Sequence, residues 1–162
     1  MRLILAAALL GAFASPALAQ KAGGTIEVGD WKVVDSRNDD GSFKSCIATL
    51  TYEDKSMVGF AATKAGETFF LVMEPDAKLT EGKIYPVRFQ VDGGKAVLGQ
   101  GVAADTHMVV VPVENPNKVF TDFAAGNALT LEVAEKEYEE PLVGSAAAIK
   151  ALGACAGRGQ GG

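Results

Sequence analysis

A mainly β fold, an antiparallel β-sandwich of about eight strands with a short helix near 117–125 and a C-terminal helix near 145–155, is what three features of this sequence predict. Short apolar or alternating runs recur through most of the chain. Clusters of Gly, Asp, Asn and Pro separate them at the spacing of a sandwich or barrel. Only two stretches carry their apolar residues at helical intervals instead. With 162 residues, 48% apolar and 22% charged, the chain suits one globular domain and is too apolar for a disordered one.

The first element is an address, not structure. Arg2 gives a positive start, residues 3–13 form an uncharged apolar run, Ser15-Pro16 breaks it, and Ala17-Leu18-Ala19 is an A-x-A cleavage signal before Gln20. An eleven-residue core is short for a membrane helix. Residues 1–19 are therefore expected to be a cleaved signal peptide. Residues 20–156 are expected to form a single β-sandwich domain, followed by a disordered Gly-rich tail over 157–162. This places the protein in the periplasm or outside the cell, with no membrane span after signal removal.

Loss of Arg2 takes the formal charge from −5 to −6, and no Lys/Arg cluster stands out. That balance argues against nucleic acid and against anionic membrane surfaces as main partners. It leaves envelope or host proteins, or a small ligand, as the expected classes.

From the N-terminus, residues 26–35 carry Trp31 and Val33 on one face with Lys32 opposite. A lone Trp among alternating apolar residues reads as core. The turn cluster 38–42, with its Asp-Gly pair, ends the strand. Residues 44–53 alternate, with Cys46, Ala48, Leu50 and Tyr52 on one side. Residues 57–63 and 68–74 pair around Ala65-Gly66. Phe69 to Met73 is apolar on both faces, as a covered central strand would be. A polar loop over 75–83 follows. Residues 84–91 turn Tyr85, Val87, Phe89 and Val91 inward, and a hairpin at 92–95 leads into residues 96–103. There Gly99 and Gly101 mark a bulge or a close approach. Residues 108–113 end at Pro112, which belongs at a sheet edge. The last strand is 129–135, with Leu129, Leu131 and Val133 inward.

The helix near 117–125 has Asn117 as its cap, Val119, Phe120 and Phe123 on its apolar side and Gly126 as its stop. The helix near 145–155 has Ser145 as N-cap and a stripe of Ala148, Ile149, Leu152 and Cys155.

Cys46 and Cys155, 109 residues apart, are the sole cysteines, and in an oxidising compartment two such residues are expected to pair. Each lies on an apolar face, so the bond would clamp the last helix onto the sheet. Two cysteines and one His do not build a tetrahedral metal centre.

The chemistry-bearing residues form no recognisable constellation. His107 has Asp105 nearby but no nucleophile motif, and reads as a turn histidine. Glu135, Glu137, Glu139 and Glu140 read as a solvated strand end or loop. Asp35, Asp39 and Asp40 only loosely resemble a calcium loop, and Gly93-Gly94-Lys95 lacks the phosphate-loop pattern. No catalytic, cofactor or metal residue is assigned, and the protein is expected not to be an enzyme.

Three segments carry a resemblance. Gly29-Asp30-Trp31-Lys32-Val33 with a Cys before a long strand, the apolar strand Phe69 to Met73, and Leu142-Val143-Gly144-Ser145-Ala146-Ala147-Ala148-Ile149 resemble the invasion-associated locus B proteins of alphaproteobacteria. Many members of that family have a Cys soon after the Trp, where this chain has Val34-Asp35. The family's disulfide pattern is therefore not carried over. The resemblance implies a small periplasmic or secreted β-sandwich, linked in some pathogens to host-cell invasion, and supplies no catalytic residue. The expected function is an exported, non-enzymatic envelope protein acting through protein contacts or ligand binding. A periplasmic small-molecule carrier and an envelope hydrolase are the alternatives.

Overall fold

Alternation of apolar and polar residues carries ten segments into strands, and in the computed structural model, which describes residues 23–160, all ten join one sheet. In chain order they are β1 (Thr25–Val28), β2 (Trp31–Arg37), β3 (Phe43–Thr51), β4 (Met57–Thr63), β5 (Thr68–Met73), β6 (Ile84–Val91), β7 (Val97–Ala103), β8 (Met108–Pro112), α1 (Pro116–Ala125), β9 (Ala128–Val133), β10 (Lys136–Pro141) and α2 (Ser145–Gln160). The strand order is β1-β2-β3-β4-β5-β8-β7-β6-β9-β10, with every neighbour antiparallel. The proposed signal segment 1–19 lies outside the described residues.

The mainly β, antiparallel class with two helices is as expected, but the strand count and layering differ. Ten strands in one continuous sheet replace about eight in a two-sheet sandwich. Two tight turns account for the extra strands. Gly29, at φ +60°, reverses the chain and splits the run 26–35 into β1 and β2, which pair from Val28 opposite Trp31. Ala134 and Glu135, at φ +52° and +66°, make a two-residue turn of the primed kind and send the acidic run back as β10. That run, expected to be a solvated end or loop, is thus an edge strand whose outward charges discourage pairing with another sheet.

The sheet doubles back on itself. Phe70 of β5 lies 5.0 Å from Phe89 of β6, centroid to centroid, and Phe123 of α1 stacks edge-on to Phe60 at 4.9 Å. The core therefore lies between the two halves, with α1 inserted beside it. β5 is central, between β4 and β8: Phe70 and Val72 face the core, and Leu71 on the other face is 8% exposed.

The bend falls where β7 meets β8, whose ladder holds only Val102 opposite Val110 and Ala103 opposite Val109. Continuing that register would set Gln100 against Pro112, which has no N–H to donate, so pairing stops there. Gly99 and Gly101 serve the close approach. A Cβ on Gly99 would sit 2.8 Å from Val111 Cγ1, and one on Gly101 would run into Val109.

α1 begins one residue before its expected start. Pro116 opens it and Asn115, not Asn117, caps it by accepting from the Lys118 N–H at 3.3 Å. In α2 the stripe Ala148, Leu152 and Cys155 is buried as expected. Ser145, however, does not cap its own helix: its buried hydroxyl donates to the Phe123 carbonyl at 2.6 Å, tying α2 to α1. α2 also continues past Gly157 to Gln160, with Gly159 against the Phe43 ring. Gly161 and Gly162 lie outside the described residues. Cys46 and Cys155 form a disulfide with Cα atoms 6.0 Å apart, joining β3 to α2. Among the described residues no helix is long and apolar enough to cross a membrane.

Candidate ligand cleft

The period of two that turns Phe70 and Val72 into the core also turns Glu74 inward, one residue beyond β5. Glu74 is 6% exposed as a residue, but its carboxylate oxygens still reach solvent, and among the described residues they take no hydrogen bond and no ion pair. It faces a cleft of about 580 Å³ at the end of the folded sheet. Val72, Leu79, Val109 and Val133 give this cleft apolar walls, and Tyr85, His107 and Tyr138 line it with Asp76, Lys78 and Lys136.

Charge gathers around Glu74 from several elements. In the turn after β3, Ser56 is buried and its hydroxyl donates to Asp54 Oδ1 at 2.6 Å, with Glu140 Oε1 of β10 at 3.4 Å. Those hydrogen bonds hold the Asp54 carboxyl below its ordinary value. Burial, then the nearby Asp54 charge, raises that of Glu140. Burial first, then the Asp54 and Glu140 charges, pushes Glu74 up to about 7 against the opposing pull of Lys136. Burial and the Glu74 charge likewise raise the Tyr138 hydroxyl.

His107 sits at this cleft, and its carbonyl accepts the Glu74 N–H at 2.9 Å. Asp105 does not orient the imidazole. Its Oδ1 accepts the backbone N–H groups of His107 and Met108 at 2.6 and 2.8 Å, which closes the turn. Asp40 is likewise committed to the Ser42 N–H at 2.8 Å in the turn after β2. Among the described residues no group of three His, Cys, Asp or Glu side chains is gathered as metal ligands. Trp31 is fully buried, and its indole N–H donates to the Val143 carbonyl at 2.9 Å, as a core residue.

Glu74 is the residue that sequence reading missed. The signal was present in its phase with Phe70 and Val72, although Pro75 makes it look like the start of a polar loop. Its neighbours were not findable that way, since residues 54–56, 74–79, 107–109 and 133–140 meet only through the fold.

A second cleft, of about 910 Å³, opens where β7 and β8 diverge, between Leu98, Gln100 and Val111 on the strands and Val119 on α1. Among the described residues no buried ionisable side chain lines it.

No protein-family model matches the sequence, and no curated protein matches it. The crystal structure of invasion associated protein B from Bartonella henselae is similar, with a TM-score of 0.55 and 17% sequence identity over 82% of this chain and 97% of that one, a likeness of fold.

Proposed function

We propose that this chain is an exported, non-enzymatic binding protein, periplasmic or secreted, whose Glu74 cleft takes a small ligand. The observation that carries the reading is a carboxylate on a buried residue, without a hydrogen-bond or ion-pair partner among the described residues, whose oxygens open on an apolar-walled cleft. A buried charge ordinarily has a partner, and a cleft with a few convergent polar groups is the form binding sites take. Export is supported by the signal-like residues 1–19, and is compatible with the Cys46–Cys155 disulfide.

The test is thermal unfolding of the purified protein against a panel of amino acids, sugars, carboxylates, amines and short peptides. A ligand raises the midpoint by mass action. The shift should vanish in Ala77→Trp, which fills the cleft from a half-exposed turn. A panel without effect, or a shift that survives Ala77→Trp, rejects the reading. N-terminal sequencing of the exported chain should begin at Gln20.

A second reading, contact with an envelope or host protein, rests on the outer face of the sheet. Register aligns Leu71, Val110, Val102 and Ile84 across four strands, with Ile84 57% exposed and Leu98 nearby at 77%. Exposed apolar side chains of this kind suit a protein partner. Capture from envelope extract by wild type but not by an Ile84→Lys/Leu98→Asp variant would favour it.

A further inference from the structure

Resting on the cleft reading above, we propose that the ligand is an alkyl amine, bound with its ammonium against the Glu74 carboxylate and its chain along Val72, Val109 and Val133. Three observations lead there. Glu74 is a buried residue whose carboxylate opens on the cleft and has no partner among the described residues, so the group that completes it brings positive charge or hydrogen-bond donors. Asp76 at the cleft, with Asp54 and Glu140 behind Glu74, makes the surroundings hostile to an anion. The walls beside Glu74 are aliphatic, which suits a hydrocarbon chain rather than a polyhydroxylated one.

Aromatic rings strengthen the case. Lys83 Nζ lies 5.2 Å from the centroid of Tyr85, a ring that lines this cleft, so the ring is one that an ammonium already approaches. Tyr138 offers a second ring. The chain's own cations do not do the same for Glu74: Lys78 and Lys136 are exposed, and neither makes an ion pair with it. A metal ion fits less well, because the carboxylates do not converge as ligands.

The charged and titratable groups facing Glu74 are Asp54 from the turn after β3, Asp76 and Lys78 after β5, Tyr85 of β6, His107 before β8, and Lys136, Tyr138 and Glu140 of β10. Glu74 itself changes charge near neutrality. Amine affinity should therefore rise about tenfold from pH 6 to pH 8, following the ionised fraction of a carboxyl near 7.

Isothermal titration of the purified, oxidised protein with n-hexylamine, n-hexanol and hexanoate at pH 6 and 8 tests this. Hexylamine should bind at pH 8 at least tenfold more tightly than the other two. Glu74→Gln should remove both the preference and the pH dependence, and Lys136→Met should tighten the amine. Circular dichroism confirms that each variant folds, and the three-probe comparison on wild type stands without any variant. Equal binding of hexanol, tighter binding of hexanoate, or no binding of hexylamine overturns the amine inference. If the wider panel still gives a shift that Ala77→Trp abolishes, the cleft reading survives that outcome; if it does not, both fall.

Discussion

At the scale of single residues, Glu74 is where burial and ionisation conflict. The folded chain holds its proton up to about pH 7, whereas an unperturbed glutamate releases it near 4.5. A carboxyl raised in this direction costs nothing while both states are protonated, below about 4.5. Stability then falls as pH rises towards 7, and the loss is complete above that. Glu74→Gln has no charge to bury, so it should exceed the wild type in stability at pH 8 by roughly 1–2 kcal/mol, with screening by cleft water allowed for. The two should be equal near pH 4. Urea unfolding at both pH values measures the difference, and a gap that does not grow with pH contradicts the assignment. Trp31 offers a second residue-scale expectation, independent of pH. Trp31→Phe keeps an aromatic ring in the core but leaves the Val143 carbonyl without its donor, at a cost of about 1–3 kcal/mol in urea unfolding.

At the scale of elements, the junction of β7 and β8 decides how the sheet bends. Val109 occupies the space that a side chain on Gly101 would need. Gly101→Ala should therefore force β7 off β8 and lower stability by about 1–3 kcal/mol, the usual range for overpacking. An exposed glycine such as Gly24, where a Cβ meets nothing within 4 Å, is the control and should tolerate Ala. A neutral Gly101→Ala variant in thermal unfolding would deny the close approach. This junction was partly legible in the sequence, because Gly99, Gly101 and Pro112 break strand chemistry at positions two residues apart or at a strand end. β10 was not legible. Its turn uses Ala134 and Glu135 at positive φ without the Asn-Gly or Asp-Gly pair that advertises a two-residue hairpin, and its charges mimic a loop. α2 outran its expected end for a similar reason: a Gly-rich tail looks unstructured until Phe43 is seen to lie against Gly159.

At the scale of the whole molecule, local patterning found the core and the crosslink but not the cleft. Cys46 and Cys155 each announced themselves by lying on an apolar face, whereas the surroundings of Glu74 come from five segments that only the doubled sheet brings together. The disulfide and the cleft are also spatially separate, and this gives a decisive expectation. α2 packs on β1, β2 and β3 and against α1, and none of its residues lines the cleft. Closing a 109-residue loop removes unfolded-state entropy worth on the order of 4–5 kcal/mol, comparable with the net stability of a small domain. Cys46→Ser/Cys155→Ser should lose stability of that order in urea unfolding. Hydrogen exchange should then show α2 losing protection before β5 and β6, because without the bond the helix is held by packing and by the Ser145 hydroxyl on Phe123. At low temperature, where the double variant stays folded, its hexylamine affinity should match that of the wild type. An unchanged urea midpoint would show that the crosslink does not hold the fold together. Lost amine binding in a variant that remains folded would show that α2 shapes the cleft, and that sheet and helix act as one unit.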